Sequence, residues 1–283
     1  MGNKCKSNEM IRSIIFFLLL VFFGASAFAD EEKSAYDRVM ETQTLRCGYF
    51  VWAPYFSIDL ETGEKSGVYH DMIEELGKVL GFKIEWSHEY ALGQQVEALR
   101  TGKVDALCAD GPFTRSAMPY VSYSDPYMFL LGYVYGAKDN PKAKSFETLN
   151  SEEARFTLID GDGAAEFIEI NFPNAQLLSM PASYDPSQLA LNIVTGKADA
   201  MINDPITFMS YREEDRAKMV RVSDDPIAIL PMVMSVDKGQ RDLLDTLNQG
   251  LSLMNDIGIM DRVIRKYDPK GDMLLSPQKR YIK

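Results

Sequence analysis

Three aspartates stand where an apolar strand-like run gives way to a loop: Asp110 after Val104 to Cys108, Asp162 after Arg155 to Ile159, and Asp204 after Ala198 to Ile202. Carboxylates gathered from separate strand ends can hold a cation, or keep a proton among them for acid–base work. Two of them about 6 Å apart repel by roughly 3 kcal/mol at an effective dielectric near 20, and a bound cation relieves that repulsion. Another loop carries aromatic faces, Phe50, Trp52 and Tyr55, each able to add roughly 0.5 to 2 kcal/mol of cation–π attraction. The set points to an amine-bearing or cationic ligand. Plainer roles stay open beside it. Asp162 precedes a helix and is as well suited to capping it, and the rings could pack beneath their loop. His70 and His88 have no second ligand at a useful spacing, so they read as structural residues and no metal or cofactor is expected.

The elements that must position these residues follow a repeated grammar. Thr44 to Tyr49 reads as a strand after a polar lead-in, and Glu61-Thr62-Gly63 as a turn. Asp71 caps a helix whose Met72, Ile73, Leu76, Val79 and Leu80 share one face, ending at Gly81. Strand Phe82 to Trp86, helix Gln94 to Thr101 and strand Val104 to Cys108 complete a doubly wound unit. The order recurs in strand Arg155 to Ile159, helix Ala164 to Asn171, strand Ala175 to Leu178, helix Pro186 to Thr195 and strand Ala198 to Ile202. Thr101-Gly102-Lys103-Val104-Asp105-Ala106 is echoed by Thr195-Gly196-Lys197-Ala198-Asp199-Ala200, and Asp110 and Asp204 each follow five residues after the aspartate of the echo.

The expected fold class is therefore α/β, with two Rossmann-like lobes joined by two crossover strands near Met128 to Tyr135 and Ile227 to Ser235; helices Arg241 to Met254 and Ile259 to Tyr267 close the chain. Two crossings permit a hinge. The lobes divide as 30–132, 133–232 and a return segment 233–283 to the first lobe. Ligands of open α/β sheets bind beyond the carboxyl ends of the strands, which selects the loops Tyr49 to Tyr55, Asp110 to Thr114, Gly161 to Ala164 and Asn203 to Pro205.

Residues 1–29 read as a cleaved export signal: Lys4, Lys6 and Arg12 precede an apolar run from Ile14 to Phe23 and small residues ending Ala27-Phe28-Ala29. That run is about half the length a membrane span needs. The remaining chain has 27 basic against 40 acidic side chains, a formal charge of −13, which argues against nucleic acid or anionic lipid as partner. Cys5 lies ahead of the apolar run, so no lipid-anchored cysteine follows the cleavage point. Cys47 and Cys108 remain; an oxidising compartment allows them to pair, and apolar strands equally suit two buried thiols.

Taken in order, Leu45-Arg46-Cys47-Gly48 with Pro54-Tyr55-Phe56, Gly67-Val68-Tyr69-His70-Asp71, Gly102-Lys103-Val104-Asp105-Ala106, Ser124-Asp125-Pro126-Tyr127, Gly196-Lys197-Ala198-Asp199-Ala200 with Asp204, and Gly258 with Lys266-Tyr267 resemble the bacterial extracellular solute-binding proteins of family 3. The resemblance covers nearly all of the exported chain. It implies a type II periplasmic binding protein: a monomeric, hinge-closing clamp that captures a small molecule and delivers it to an ABC permease. Trp52 falls where the family stacks an aromatic ring on the ligand, although the loop from Gly48 to Pro54 is one residue short. Asp204 matches the acid that holds a ligand ammonium group. Thr114 matches the start of a Thr-x-x-Arg motif, but the Arg position is Ala117, and the second lobe's Gly-Thr reads Gly161-Asp162. Arg115 lies two positions before Ala117, which on a helix is about 200° away. A missing bidentate arginine weakens carboxylate recognition, so the resemblance and the acidic loops together favour an amine or cation over an ordinary amino acid.

Other functions leave traces too. Gly161-Asp162-Gly163-Ala164-Ala165-Glu166 follows a strand and opens a helix, but Glu166 is too bulky for a dinucleotide fingerprint and Asp162 would face the phosphate. A dehydratase on the same scaffold could use a protonated cleft aspartate as general acid, although an acidic pocket would repel an anionic prephenate-like substrate. The lost arginine also keeps open a member that docks on a periplasmic partner or serves as a sensor.

Overall fold

The computed structural model describes residues 33–111 and 114–277; the segment read as an export signal lies outside them. The lead-in is a helix, α1 (Ala35–Thr42), rather than irregular chain. Only Val39 of its residues is buried, so its apolar periodicity is too thin to register in the sequence. Strand β1 (Thr44–Tyr49) follows, then the small hairpin of β2 (Ser57–Ile58) and β3 (Lys65–Ser66). Helix α2 (Val68–Leu80) starts three residues ahead of the expected cap at Asp71. Its entry is set instead by Gly67 at φ 117°, where a Cβ would lie 2.1 Å from the Tyr55 carbonyl oxygen, and its exit by Gly81 in the left-handed region.

Strand β4 (Lys83–Glu89), helix α3 (Gln95–Arg100) and strand β5 (Ala106–Asp110) complete the first unit. Two more strands, β6 (Val121–Tyr123) and β7 (Met128–Ala137), and a short helix α4 (Phe146–Leu149) lead to the second: β8 (Arg155–Ile159), α5 (Ala164–Asn171), β9 (Gln176–Met180), α6 (Ser187–Val194), β10 (Ala200–Asn203) and α7 (Pro205–Ser210). After α8 (Glu213–Arg216) and β11 (Met219–Arg221), the long strand β12 (Ala228–Asp237) returns to helices α9 (Arg241–Asp256) and α10 (Ile259–Tyr267) and a terminal β13 (Leu274–Leu275).

Hydrogen bonding orders the main sheet β4-β1-β5-β12-β7-β10-β8-β9. At one end β1 pairs in parallel with β4 and β5; at the other β8 pairs in parallel with β9 and β10. Both ends thus carry the same arrangement, with the first strand of the unit flanked by its second and third. Between them β7 and β12 run antiparallel, paired over Met128–Gly132 and Ala228–Met232. Beyond that shared stretch β7 goes on to pair β10, and β12 goes on to pair β5. These are the two crossover strands expected from sequence, and they make the chain an α/β fold of two doubly wound halves.

The echoed hexapeptides do the same structural work in both halves. Gly102 and Gly196 take φ of 65° and 71° at the helix ends. The Asp105 amide donates to the Arg46 carbonyl at 2.9 Å while its carboxylate accepts from the Arg46 amide at 2.8 Å. Asp199 repeats both bonds with Arg155, at 2.8 and 2.9 Å. Each aspartate therefore fastens the third strand of its unit to the first. In the first half the buried Asp105 carboxylate also pairs with the guanidinium groups of Arg38 and Arg46, which ties α1 to the sheet. Cys47 of β1 and Cys108 of β5 are joined in a disulfide with a Cα–Cα distance of 5.4 Å, so the pairing that sequence left open is made.

The larger core lies between the first half's sheet and helices α2, α9 and α10, with Met72, Ile73 and Leu76 facing Leu247, Leu251 and Ile264. The second half is packed on both faces of its strands. Tyr133, Tyr135 and Met201 face α6 on one side, and Phe156, Ile168 and Phe172 lie on the other.

Candidate functional site

The loop after β1 folds into a tight turn. The Tyr55 and Phe56 amides donate to the Trp52 carbonyl at 2.7 and 2.9 Å, and the Trp52 amide donates back to Phe56 at 2.9 Å. This turn fixes a run of rings. Trp52 lies 5.7 Å from Phe50 in a stacked arrangement and 4.7 Å from Tyr55, and Tyr55 stacks on Tyr69 of α2 at 5.4 Å. Trp52 is only partly buried and packs against the first half's core; Phe50 packs sideways against Tyr90.

Opposite this aromatic loop stands Asp204, which follows β10 and opens α7. The residue is 3% exposed, and its Oδ1 accepts the Thr207 amide at 2.9 Å as a helix cap. The Tyr55 hydroxyl, reaching across from the first half, donates to the same carboxylate oxygen. Burial pushes the Asp204 carboxyl above the usual carboxylate range, against the downward pull of Tyr55 and Thr207. Asp204, Tyr55 and Trp52 are thus brought together.

Asp110 ends β5 at the same end of the sheet, as the strand-end rule requires. It accepts the Ser235 hydroxyl from β12 and the Gly111 amide at 2.9 Å, and burial raises its carboxyl to about 6. Tyr69, Tyr90 and Tyr127, all buried, feel its charge; Tyr69 feels Asp204 as well.

Asp162 has local partners. Its carboxylate accepts the Ala164 amide at 2.8 Å and the Ile159 amide at 3.3 Å, shaping its own turn at the start of α5. Its carboxyl is raised to about 6 by burial, and the neighbouring charge it feels is that of Asp160. Mutual repulsion, by which three gathered aspartates could keep a proton among them, is not what raises these carboxyls. Desolvation is the first cause for each, and none of the three is a leading cause for another.

Thr114 opens a set of turns rather than a helix, its carbonyl accepting the Ala117 and Met118 amides at 3.3 and 3.2 Å. The rotation argued for Arg115 on a helix therefore does not apply. Ala117 is buried, and Arg115 is committed elsewhere. Its amide donates to both carboxylate oxygens of Glu166 at 2.8 and 3.0 Å, its Nε donates to Glu166 at 3.2 Å and its Nη2 to Glu169 at 3.4 Å. Both glutamates belong to α5, so this clasp joins the halves. A second contact joins them beside Gly161, where a Cβ would sit 2.8 Å from the Gly93 amide nitrogen. The backbone that a dinucleotide phosphate would have to approach is already covered by Leu92 and Gly93.

Sequence reasoning gave no site role to Ser235, Thr207, Glu166, Tyr69, Tyr90 and Tyr127. Thr207 alone left a signal, as the third helical residue after a capping Asp; the others sit in runs that read only as core or helix surface.

Among the described residues no helix is long and apolar enough to cross a membrane. A probable histidine-binding protein of Campylobacter jejuni is 25% identical over 251 residues, 88% of this chain and 94% of the relative. An L-cystine-binding protein of Bacillus subtilis is 21% identical over 76% of this chain and 77% of its own. Among solved structures, an ancestral amino acid-binding protein that is a precursor of cyclohexadienyl dehydratase superposes with a TM-score of 0.68 at 27% identity, covering 83% of this chain and 99% of that one. The sequence profile of the bacterial extracellular solute-binding proteins, family 3, matches residues 45–270. With the two doubly wound halves, the paired crossover strands and the acid at the head of α7, this match makes the chain a member of that family.

Proposed function

We propose that the chain is a periplasmic solute-binding protein that captures a small polar, amine-bearing or cationic solute between its halves and delivers it to an ABC permease. On this reading residues 1–29 are removed at export and the mature protein works as a monomer. Residues 30–132 and 233–283 form one lobe and 133–232 the other, with β7 and β12 as the hinge. The observation that carries the proposal is the buried Asp204 carboxylate, which already takes a hydrogen-bond donor from the opposite half and stands beside the Trp52 and Tyr55 rings. An ammonium group supplies that donor together with a positive charge, which burial otherwise makes costly to leave unmatched. On this reading Asp110 adds a second acid to the same interior, and Phe50, Thr114 and Asp162 line it.

A thermal-shift screen against L-arginine, L-histidine, polyamines, quaternary amines and organic acids tests this. A ligand at 100 times its dissociation constant adds about 2.7 kcal/mol of stability. Amines and cationic amino acids are expected to shift the melting temperature and organic acids are not. Asp204→Ala should abolish the shift and Trp52→Ala should reduce it while the protein stays folded. A shift unchanged in both variants refutes the site.

A second reading, acid catalysis in the same interior, draws on Asp110, whose carboxyl near 6 holds a proton at mildly acidic pH. Release of water and carbon dioxide from a prephenate-like substrate, lost in Asp110→Asn, would favour it over binding alone.

A further inference from the structure

Asp204 is the proposed anchor for ligand, yet its carboxylate is already engaged by a group from the other side of the site. Tyr55 is 1% exposed and its hydroxyl donates to Asp204. Thr207 completes the arrangement. Its side-chain oxygen is buried and faces both Tyr55 and Asp204, but it has no well-formed hydrogen bond. A buried hydroxyl without a partner costs free energy, and native interiors rarely keep one unless another group comes to it. The site therefore offers two oxygens, one charged and one neutral, at the first turn of α7, and only the charged one has a well-formed donor.

We infer that Asp204 and Thr207 together form an ammonium site, that the Tyr55 hydroxyl is its built-in occupant, and that ligand enters by exchanging its N–H donors for that hydroxyl. The inference deepens the proposed function and rests on Asp204 being the ligand's anchor. An ammonium group brings three donors where the phenol brings one, so it can satisfy Asp204 and Thr207 at once. A ligand with no N–H donor, such as a quaternary amine, cannot make that exchange, which narrows the substrate class to primary and secondary amines. Because Tyr55 and Asp204 belong to opposite halves, the same hydrogen bond also draws the halves together in the protein before ligand arrives. The Arg115–Glu166 clasp acts in the same direction.

Small-angle scattering and titration calorimetry on the protein purified from the periplasm after expression of the full chain test this, with L-arginine, putrescine and tetramethylammonium as probes. Without ligand, the wild type is expected to scatter as a compact particle. Tyr55→Phe, which keeps the ring and removes the hydroxyl, should expand and then compact on adding L-arginine or putrescine. Arg115→Ala, at a side chain 63% exposed, should expand the protein in the same direction with little risk to folding. Tyr55→Phe should bind the primary amines roughly tenfold more tightly than the wild type, and Thr207→Val in that background should lose about as much. Tetramethylammonium should bind none of them.

A wild type already expanded without ligand, or a Tyr55→Phe variant that stays compact and gains no affinity, overturns the inference, while the amine site itself still stands or falls with the thermal shifts of Asp204→Ala and Trp52→Ala. If Tyr55→Phe expands but neither amine compacts it or binds it, the amine reading falls, and the internal bond between Tyr55 and Asp204 stands alone. Tighter binding of tetramethylammonium than of putrescine overturns the exchange of N–H donors.

Discussion

Asp110 is held in place by two donors, the Ser235 hydroxyl and the Gly111 amide, and no cation lies among the groups that shape its charge. Burial raises its carboxyl to about 6 in the folded protein, against the downward pull of those two donors, whereas in the unfolded chain it sits at about 3.9. The native state binds more protons than the unfolded state between those values, so stability is present below about pH 4 and is lost as pH rises through 6. The ionised form costs at most about 2 to 3 kcal/mol above that window. Asp162, also raised to about 6, adds a loss of the same sign. Asp110→Asn should accordingly raise the melting temperature at pH 7.5 and leave it nearly unchanged at pH 4; an equal effect at both pH values would show that burial does not set this carboxyl. The titratable groups that feel Asp110, Tyr69, Tyr90, Tyr123 and Tyr127, all have raised phenol pKa values and stay neutral throughout, so the transition reports the acid. The sequence located Asp110 because strand ends are legible. It could not show that Ser235 answers it, since Ser235 lies about 125 residues away in a strand whose pairing is a tertiary fact.

At the scale of elements, the doubled unit was legible because apolar periodicity, helix-ending glycines and the echoed hexapeptide agree locally. Strand β8 and helices α5 and α10 have the bounds read from sequence. Helix α1 was missed because one buried residue gives no periodicity, and α2 was entered late because its start depends on Gly67 meeting the Tyr55 carbonyl, a contact between segments. The echo hides an asymmetry as well. Asp105 is matched by two arginines, whereas Asp199 has Asn140 at 2.9 Å and Lys142 at 3.5 Å. The first half adds the disulfide between β1 and β5, which closes a separation of 61 residues. Cross-linking a loop of that length lowers unfolded-chain entropy by about 4 kcal/mol in free-energy terms. Reduction, or the paired Cys47→Ala and Cys108→Ala substitutions, should remove about that much in chemical denaturation. Amine affinity should change little, because both cysteines lie in the strands beneath the site and not at its surface. A stability unchanged by reductant would mean that the bridge constrains little in the unfolded chain.

For the molecule as a whole, what matters is how firmly the halves hold each other once ligand is in place. Contacts that span them include Tyr55 with Asp204, Arg115 with Glu166 and Glu169, Leu92–Gly93 against Gly161, and Ile206 against the first half's core. Sequence pointed to the two sides of the site but not to these contacts, since nothing local tells Glu166 from any other acidic residue on a helix surface. The clasp also explains how a chain with Ala117 in place of an arginine can keep Arg115 useful: its cation serves the protein's own carboxylates and not a ligand's. Because Arg115 is largely exposed, its pairs are worth little in overall stability and are screened by salt. If the halves move as the proposed clamp does, position matters more than strength, because these pairs would form only on closure and so oppose opening. Glu166→Ala should therefore speed release of bound amine by roughly threefold to fivefold at low ionic strength while leaving the association rate nearly unchanged. Near 1 M salt, where the Debye length is about 3 Å, variant and wild type should converge. Stopped-flow release followed by tryptophan fluorescence would read both rates, since Trp52 packs against Tyr55 beside Asp204. A release rate that ignores both the substitution and the salt would place the resistance to opening in the buried contacts, the Tyr55–Asp204 bond and the covered Gly161 backbone among them.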